Sequence, residues 1–189
     1  MWERCRDMYG QNNENTQNRE NKSDALTAAV LEKMIFFSEG QREDINHFLK
    51  VHSYARLIGV REGLRGDNLL TLELAAIVHD IAVPFCREKY GDTEGSHQEA
   101  ESEAILRPFL KEFDIPEEMR ERIIFLVTHH HTYANVDGLD YQILLEADYL
   151  VNCDESEKYR RSYRSFRDKV FRTRTGISLL ESMFPECRE

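Results

Sequence analysis

Breaks are scarce in this sequence: 4 prolines and 9 glycines punctuate 189 residues. Most of those from Gly40 onward fall between apolar runs, where helix boundaries belong, and no convincing strand pattern is present. Cysteine is scarce too. Cys5, Cys86, Cys153 and Cys187 stand far apart, which excludes a Cys-x-x-Cys metal or redox motif and leaves packed or surface thiols of a reducing compartment. A cationic surplus is missing: 25 Lys and Arg face 35 Asp and Glu, for a net charge of −10. That balance argues against a nucleic acid polymer as partner, which needs a basic footprint. It leaves room for a small anionic substrate, because a metal ion and a few local Arg or Lys reverse the field inside one cleft. No apolar run is read as long enough to span a membrane, and no apolar core with a cleavage site opens the chain. These absences predict a cytoplasmic protein with no membrane partner.

What is present is a globular composition, 41% apolar and 32% charged, without internal repeat or linker. Residues 1–24 are polar and lack an apolar period, which predicts a poorly ordered arm. Residues 25–189 then form a single all-α domain. Helices are expected over Ala25–Phe37, Asp44–Val60, Asp67 to just before Pro84, Ser96–Phe113, Pro116–His131 and Tyr141–Cys153. A polar loop is expected over Glu88–Gly95, a capping box at Ser96 and Glu99, and one or two charged helices after Glu155, broken near Gly176.

The chemistry lies on the inward faces. On a helical wheel His47 groups with Val51, Tyr54, Ala55 and Ile58. A lone histidine there is ordinarily a satisfied core residue. The third helix is apolar almost all round, over the run Leu69 to Val83, and so is central. Near its end stands His79-Asp80, and an ionised carboxylate there is costly without a partner. A metal ion is one partner; a bonded neighbouring histidine is another. Asp148 shares its face with Leu144, Leu145 and Val151. Two inward histidines and two inward aspartates from three helices make an N/O ligand set for a divalent metal.

Three stretches carry a resemblance: Asp44-Ile45-Asn46-His47, Val78-His79-Asp80-Ile81 and Glu146-Ala147-Asp148-Tyr149. Over roughly residues 43–155 the chain resembles the HD superfamily of metal-dependent phosphohydrolases. The stretches Phe125–Tyr133 and Phe171–Phe184 look like uncharacterised bacterial members of it. The resemblance implies a helical HD-domain bundle with a metal held by His47, His79, Asp80 and Asp148. It departs at Ala82, where relatives commonly have glycine, and at Val83, where nucleotidase-type relatives carry glutamate. The Gly-Tyr-Pro signature of the cyclic-dinucleotide branch is absent.

Some relatives hold a second ion with further histidines. The candidates are His97 and His130. His130 lies near the centre of its helix's apolar face, His131 at the edge and His129 off it. Gln98 and Ser102 extend an apolar face as polar residues and are candidates to support the ligands. Arg87 and Lys89 are candidates for gripping phosphate, although solvated loop charges are the plainer reading.

The expected activity is hydrolysis of a small phosphorylated substrate such as a nucleotide by metal-activated water, with Asp80 also as proton acceptor. One ion is expected, two if His97 or His130 completes a second site; Mn, Fe, Co, Ni, Zn and Mg are not distinguished. The alternatives are an HD-type di-iron oxygenase and a non-catalytic metal- or ligand-binding regulatory domain. A homo-oligomer is left open. The stretch Tyr159–Arg172, with Arg160, Arg161, Arg164 and Arg167, reads as a solvated face in preference to a dimer surface.

Overall fold

A computed structural model describes residues 2–185, with side chains from residue 17 onward. The expected thiol roles of Cys5 and Cys187 lie outside the described side chains; Cys86 and Cys153 are buried. Among the described residues there are ten helices and no strand. They are α1 (Trp2–Phe37), α2 (Arg42–Arg61), α3 (Gly66–Val78), α4 (Val83–Tyr90), α5 (Gly95–Leu110), α6 (Glu117–Val127), α7 (Leu139–Glu155), α8 (Glu157–Arg161), α9 (Tyr163–Lys169) and α10 (Arg174–Met183).

α3 is the axis of the bundle. Leu70 through Val78 are buried without interruption, and α1, α2, α6 and α7 pack around them. A helix apolar on every side is stable only inside such a ring. α7 lies against both α2 and α3, and α5 braces α6. His47, His79, His130 and Asp148 therefore come from four neighbouring elements that meet along one line of the core.

Several expected boundaries move, each for a local reason. The helix expected from Ala25 begins at Trp2, so the polar stretch read as an arm is helical. It contains no proline. Gln17 to Lys22 are exposed, and burial sets in only at Val30 and Met34. The apolar period marks where the helix meets the core, not where it starts. The third helix does not run on toward Pro84. It stops at Val78, and tight turns bring Ile81 N to Val78 O (3.1 Å) and Val83 N to Asp80 O (3.0 Å). Pro84 opens α4, where its missing N–H costs nothing. The loop expected over Glu88–Gly95 thus shrinks to residues 91–94.

No capping box forms at Ser96: the N-cap is Glu94, and Glu99 instead accepts from His131 N and Thr132 Oγ1, both at 3.0 Å. The fifth helix ends at Val127 and not at His131. Side chains take its last carbonyls: Thr128 Oγ1 and His129 Nδ1 donate to Ile124 O and Phe125 O. The C-terminal stretch holds three short helices, and Gly176 sits buried within α10. Finally, the span Gly66–Tyr90 is long and apolar enough by composition to cross a membrane, contrary to the sequence reading. In the fold it is broken at residues 79–82, and 78% of its apolar window is buried.

Candidate metal centre

The turn at residues 79–82 puts His79 and Asp80 at the C-terminal end of α3, facing α2 and α7. His47 reaches in from α2 and Asp148 from α7. His47 Nε2 stands 3.1 Å from Asp148 Oδ1, 3.3 Å from His79 Nε2 and 3.5 Å from Asp80 Oδ2. His79 Nε2 stands 3.4 Å from Asp80 Oδ2 and 3.6 Å from Asp148 Oδ1. The structure brings together all four residues that the sequence pointed to.

Their outer atoms are pinned. His79 Nδ1 donates to Ala76 O (2.9 Å) and His130 Nδ1 to Val127 O (2.7 Å). Each imidazole uses a carbonyl three residues back, left free by the end of its own helix. A carbonyl only accepts, so both Nδ1 atoms carry a proton and each ring turns its Nε2 toward the centre. His47 is fixed differently: its Nδ1 faces Glu155 Oε2 at 2.8 Å, and Lys50 Nζ holds the other Glu155 oxygen at 3.0 Å. Asn152 Nδ2 donates to Asp148 Oδ1 at 2.8 Å. Asp148, Asn152 and Glu155 occupy one stripe of α7, at spacings of four and three.

This arrangement demands a cation. Two imidazole Nε2 atoms and two carboxylates face one point, and the paired negative charges need a positive partner. In the bare protein, protons answer the demand. Burial opposes a charge on His47, yet hydrogen bonds to Asp148 and Glu155 and the Asp80 charge push it up to about 11. His130 is likewise raised, with the Asp80 carboxylate overcoming its burial. Burial would raise Asp80, but His79, His130 and His47 hold it well below the usual carboxylate range. Asp148 is held low against its burial by His47 and His79. A divalent ion fits the same point better, since it takes all four donors at once.

A second group adjoins the first. Donor atoms of Asp80, His130 and His131 lie within 4.8 Å of one another, as do those of His47, His79 and Asp80. His130 Nε2 is 3.4 Å from Asp80 Oδ1, and Nε2 of both His130 and His131 is buried without a hydrogen bond. Burial beside His130 pushes His131 down to about 4. His131, placed by sequence at the edge of its face, is thus in the group. His97 is not: its Nδ1 bonds Asp92 at 2.8 Å and its ring stacks on Tyr90 at 4.0 Å. His129 stacks on Phe125, also outside the group. Gly95 leaves the space that the His131 ring occupies, because a Cβ there would come within 2.8 Å of three of its atoms.

Above the centre lies a cleft of about 400 Å³, lined among others by Glu43, Asp80, Glu94, Gln98, His131 and Lys158. Arg87 also lines it, but its guanidinium is clamped by both oxygens of Asp44 at 3.0 Å. Lys89 pairs with Glu101 at 2.7 Å and does not reach the cleft. The expectation that these two cations grip a phosphate therefore loses its footing: one is occupied, the other turned away. Lys158, which sequence reasoning missed, is the cleft-lining cation without an ion pair among the described residues. Glu155 and Asn152 were also missed. Their signal was available, since both share the helical face of Asp148. Lys158 gave none, because its place depends on how α8 folds back.

A protein-family model described as the HD domain matches residues 44–153, more than half of the chain. No curated protein matches, and no solved structure matches.

Proposed function

This chain belongs to the HD domain family, whose members are typically metal-dependent hydrolases binding divalent ions, and from that premise we propose that it hydrolyses a small phosphorylated substrate. The observation that carries the reading is the convergence of His47, His79, Asp80 and Asp148 on one point at the floor of an open cleft. A structural site would be closed on all sides, whereas this one faces the cleft through Asp80.

A divalent ion held by these four residues supplies a Lewis acid for a phosphoryl oxygen and lowers the pKa of water to about 7. The chain's own residues do the rest. Asp80 stays ionised at neutral pH, so its carboxylate is available to hold the ion and orient the attacking water. Lys158 offsets phosphate charge from the cleft mouth. The pinned Nδ1 atoms of His47 and His79 fix ring direction, so no reorganisation is needed when the substrate arrives.

The test is metal content of protein purified without added metal, for wild type and Asp80→Ala, with hydrolysis of a phosphoester panel measured alongside. Metal and metal-dependent hydrolysis in wild type, both lost in the variant, is the expected result. No metal in either, even after reconstitution with several divalent ions, overturns the reading.

The Asp80, His130 and His131 group favours a second reading, a di-iron oxygenase. Two irons per chain with substrate-dependent O₂ consumption, and no phosphoester turnover, would establish it.

A further inference from the structure

Gln98 is buried, only 4% exposed, and lies on the wall of the cleft. Its amide is oriented without ambiguity. Nε2 donates to Thr93 O at 3.0 Å, and a carbonyl accepts only from a donor, so the other amide atom is the oxygen. That oxygen is buried and has no hydrogen-bond partner among the described residues. A buried acceptor left unpaired is costly, and Gln98 lines the cleft, so a donor entering the cleft is what would satisfy it.

The rest of the cleft has the same character. Glu43 and Glu94 line it and carry no side-chain hydrogen bond among the described residues, and Thr93 adds a hydroxyl. Val83 is the one aliphatic side chain of the lining and Tyr159 its one phenol ring. A nucleobase needs apolar or aromatic walls on its faces, and this cleft offers little of either. It offers carboxylate and amide acceptors, with Lys158 as a cation for phosphate.

We infer that Gln98 reads a hydroxyl of the substrate, and that the substrate is a hydroxyl-rich phosphate ester, of the sugar- or polyol-phosphate class, in preference to a nucleotide. Gln98 Oε1 accepts from a substrate hydroxyl, Glu43 and Glu94 accept from others, and the phosphate lies toward Lys158 and the metal centre. The inference rests on the hydrolase reading and names the substrate for that same site.

Two esters of matched size test it: glycerol 1-phosphate and n-propyl phosphate, with a nucleoside 5′-monophosphate as third substrate. They are assayed on the metal-loaded full chain for wild type, Gln98→Leu and Gln98→Glu. Calorimetric binding of 2,3-dihydroxypropylphosphonate against propylphosphonate gives a readout independent of turnover. Metal content and circular dichroism, unchanged in both variants, show that each is folded and loaded.

The expected result is a preference of about ten- to a hundredfold in kcat/KM for glycerol 1-phosphate over n-propyl phosphate, the size set by leaving one buried acceptor unpaired. Gln98→Leu should erase it, mainly through KM, and Gln98→Glu, which keeps an acceptor, should retain part of it. The phosphonate pair should show the same order. Equal turnover of the two esters, a preference surviving in Gln98→Leu, or faster turnover of the nucleotide would overturn the inference and leave the hydrolase reading standing. No hydrolysis of any ester by loaded wild type would bring down the hydrolase reading itself, and this inference with it.

Discussion

Glu155 does for His47 what backbone carbonyls do for His79 and His130, but with a full negative charge. It fixes the Nδ1–H form and leaves Nε2 free for a cation. Such a partner is worth about 10–100-fold in metal affinity. Glu155→Ala should weaken divalent-ion binding by that factor in a chelator competition. Asp154→Ala, which removes only a contact to Lys50, should leave the affinity unchanged. Equal affinity in wild type and Glu155→Ala would show that the Glu155 contact is incidental.

Protons and metal compete for His47. With its pKa raised to about 11 in the bare protein, Nε2 carries a proton at neutral pH that a bound ion must expel. Metal affinity should therefore climb with pH, by up to about tenfold per unit, and level off as pH approaches 11. Bare-protein stability runs the other way. A histidine raised above its unfolded value of 6.5 contributes fully below that pH, and the contribution is lost as pH rises through about 11. Melting temperatures of the metal-free protein between pH 6.5 and 10, compared with His47→Gln, check the sign: wild type should fall more steeply.

At the scale of elements, two helix ends are built alike. α3 and α6 both stop one or three residues short of a histidine whose Nδ1 turns back onto the helix. The termination that frees the carbonyl also aims the ring. The C-terminal segment is tied down by another device. Glu146 of α7, wholly buried, accepts from Arg172 N at 2.6 Å, Thr173 N at 2.9 Å, Gln142 Nε2 at 2.7 Å and the Thr173 hydroxyl. Gly176 is required beside it, because a Cβ there would collide with the same carboxylate. Glu146→Ala would strand the buried Thr173 N–H and hydroxyl and the part-buried Arg172 N–H, and should cost about 3 kcal/mol. Urea unfolding should show a lowered midpoint, and proteolysis should strike first near residues 170–176. An unshifted midpoint would mean that the segment is held elsewhere.

At the scale of the molecule, four elements converge on one charge demand, so a bound ion would also be a structural link. A ligand present at a hundred times its Kd stabilises by about 2.7 kcal/mol, which for a chain of this size is roughly 5–10 °C in melting temperature. Stripping the ion with a chelator should lower the melting temperature by that amount, and adding the ion back should restore it. Asp148→Asn should show a smaller metal-dependent shift. A melting temperature indifferent to chelation in wild type would rule out a resident ion.

The sequence by itself determined the all-α class, the central placement of α3 and the four inward residues of the candidate metal centre. Each follows from local rules: periodicity reports burial, and a buried carboxylate needs a partner. It could not place the helix ends at Val78 and Val127, because these depend on side chains capping their own carbonyls, and periodicity does not see that. It could not locate the start of α1 either, since a polar helix outside the core leaves no apolar period. The tertiary structure alone decided that His131 joins the centre while His97 stacks on Tyr90. It also decided that Arg87 is clamped by Asp44 and that Lys158 reaches the cleft. Those outcomes turn on which loop meets which, over separations of tens of residues, and no spacing along the chain encodes them.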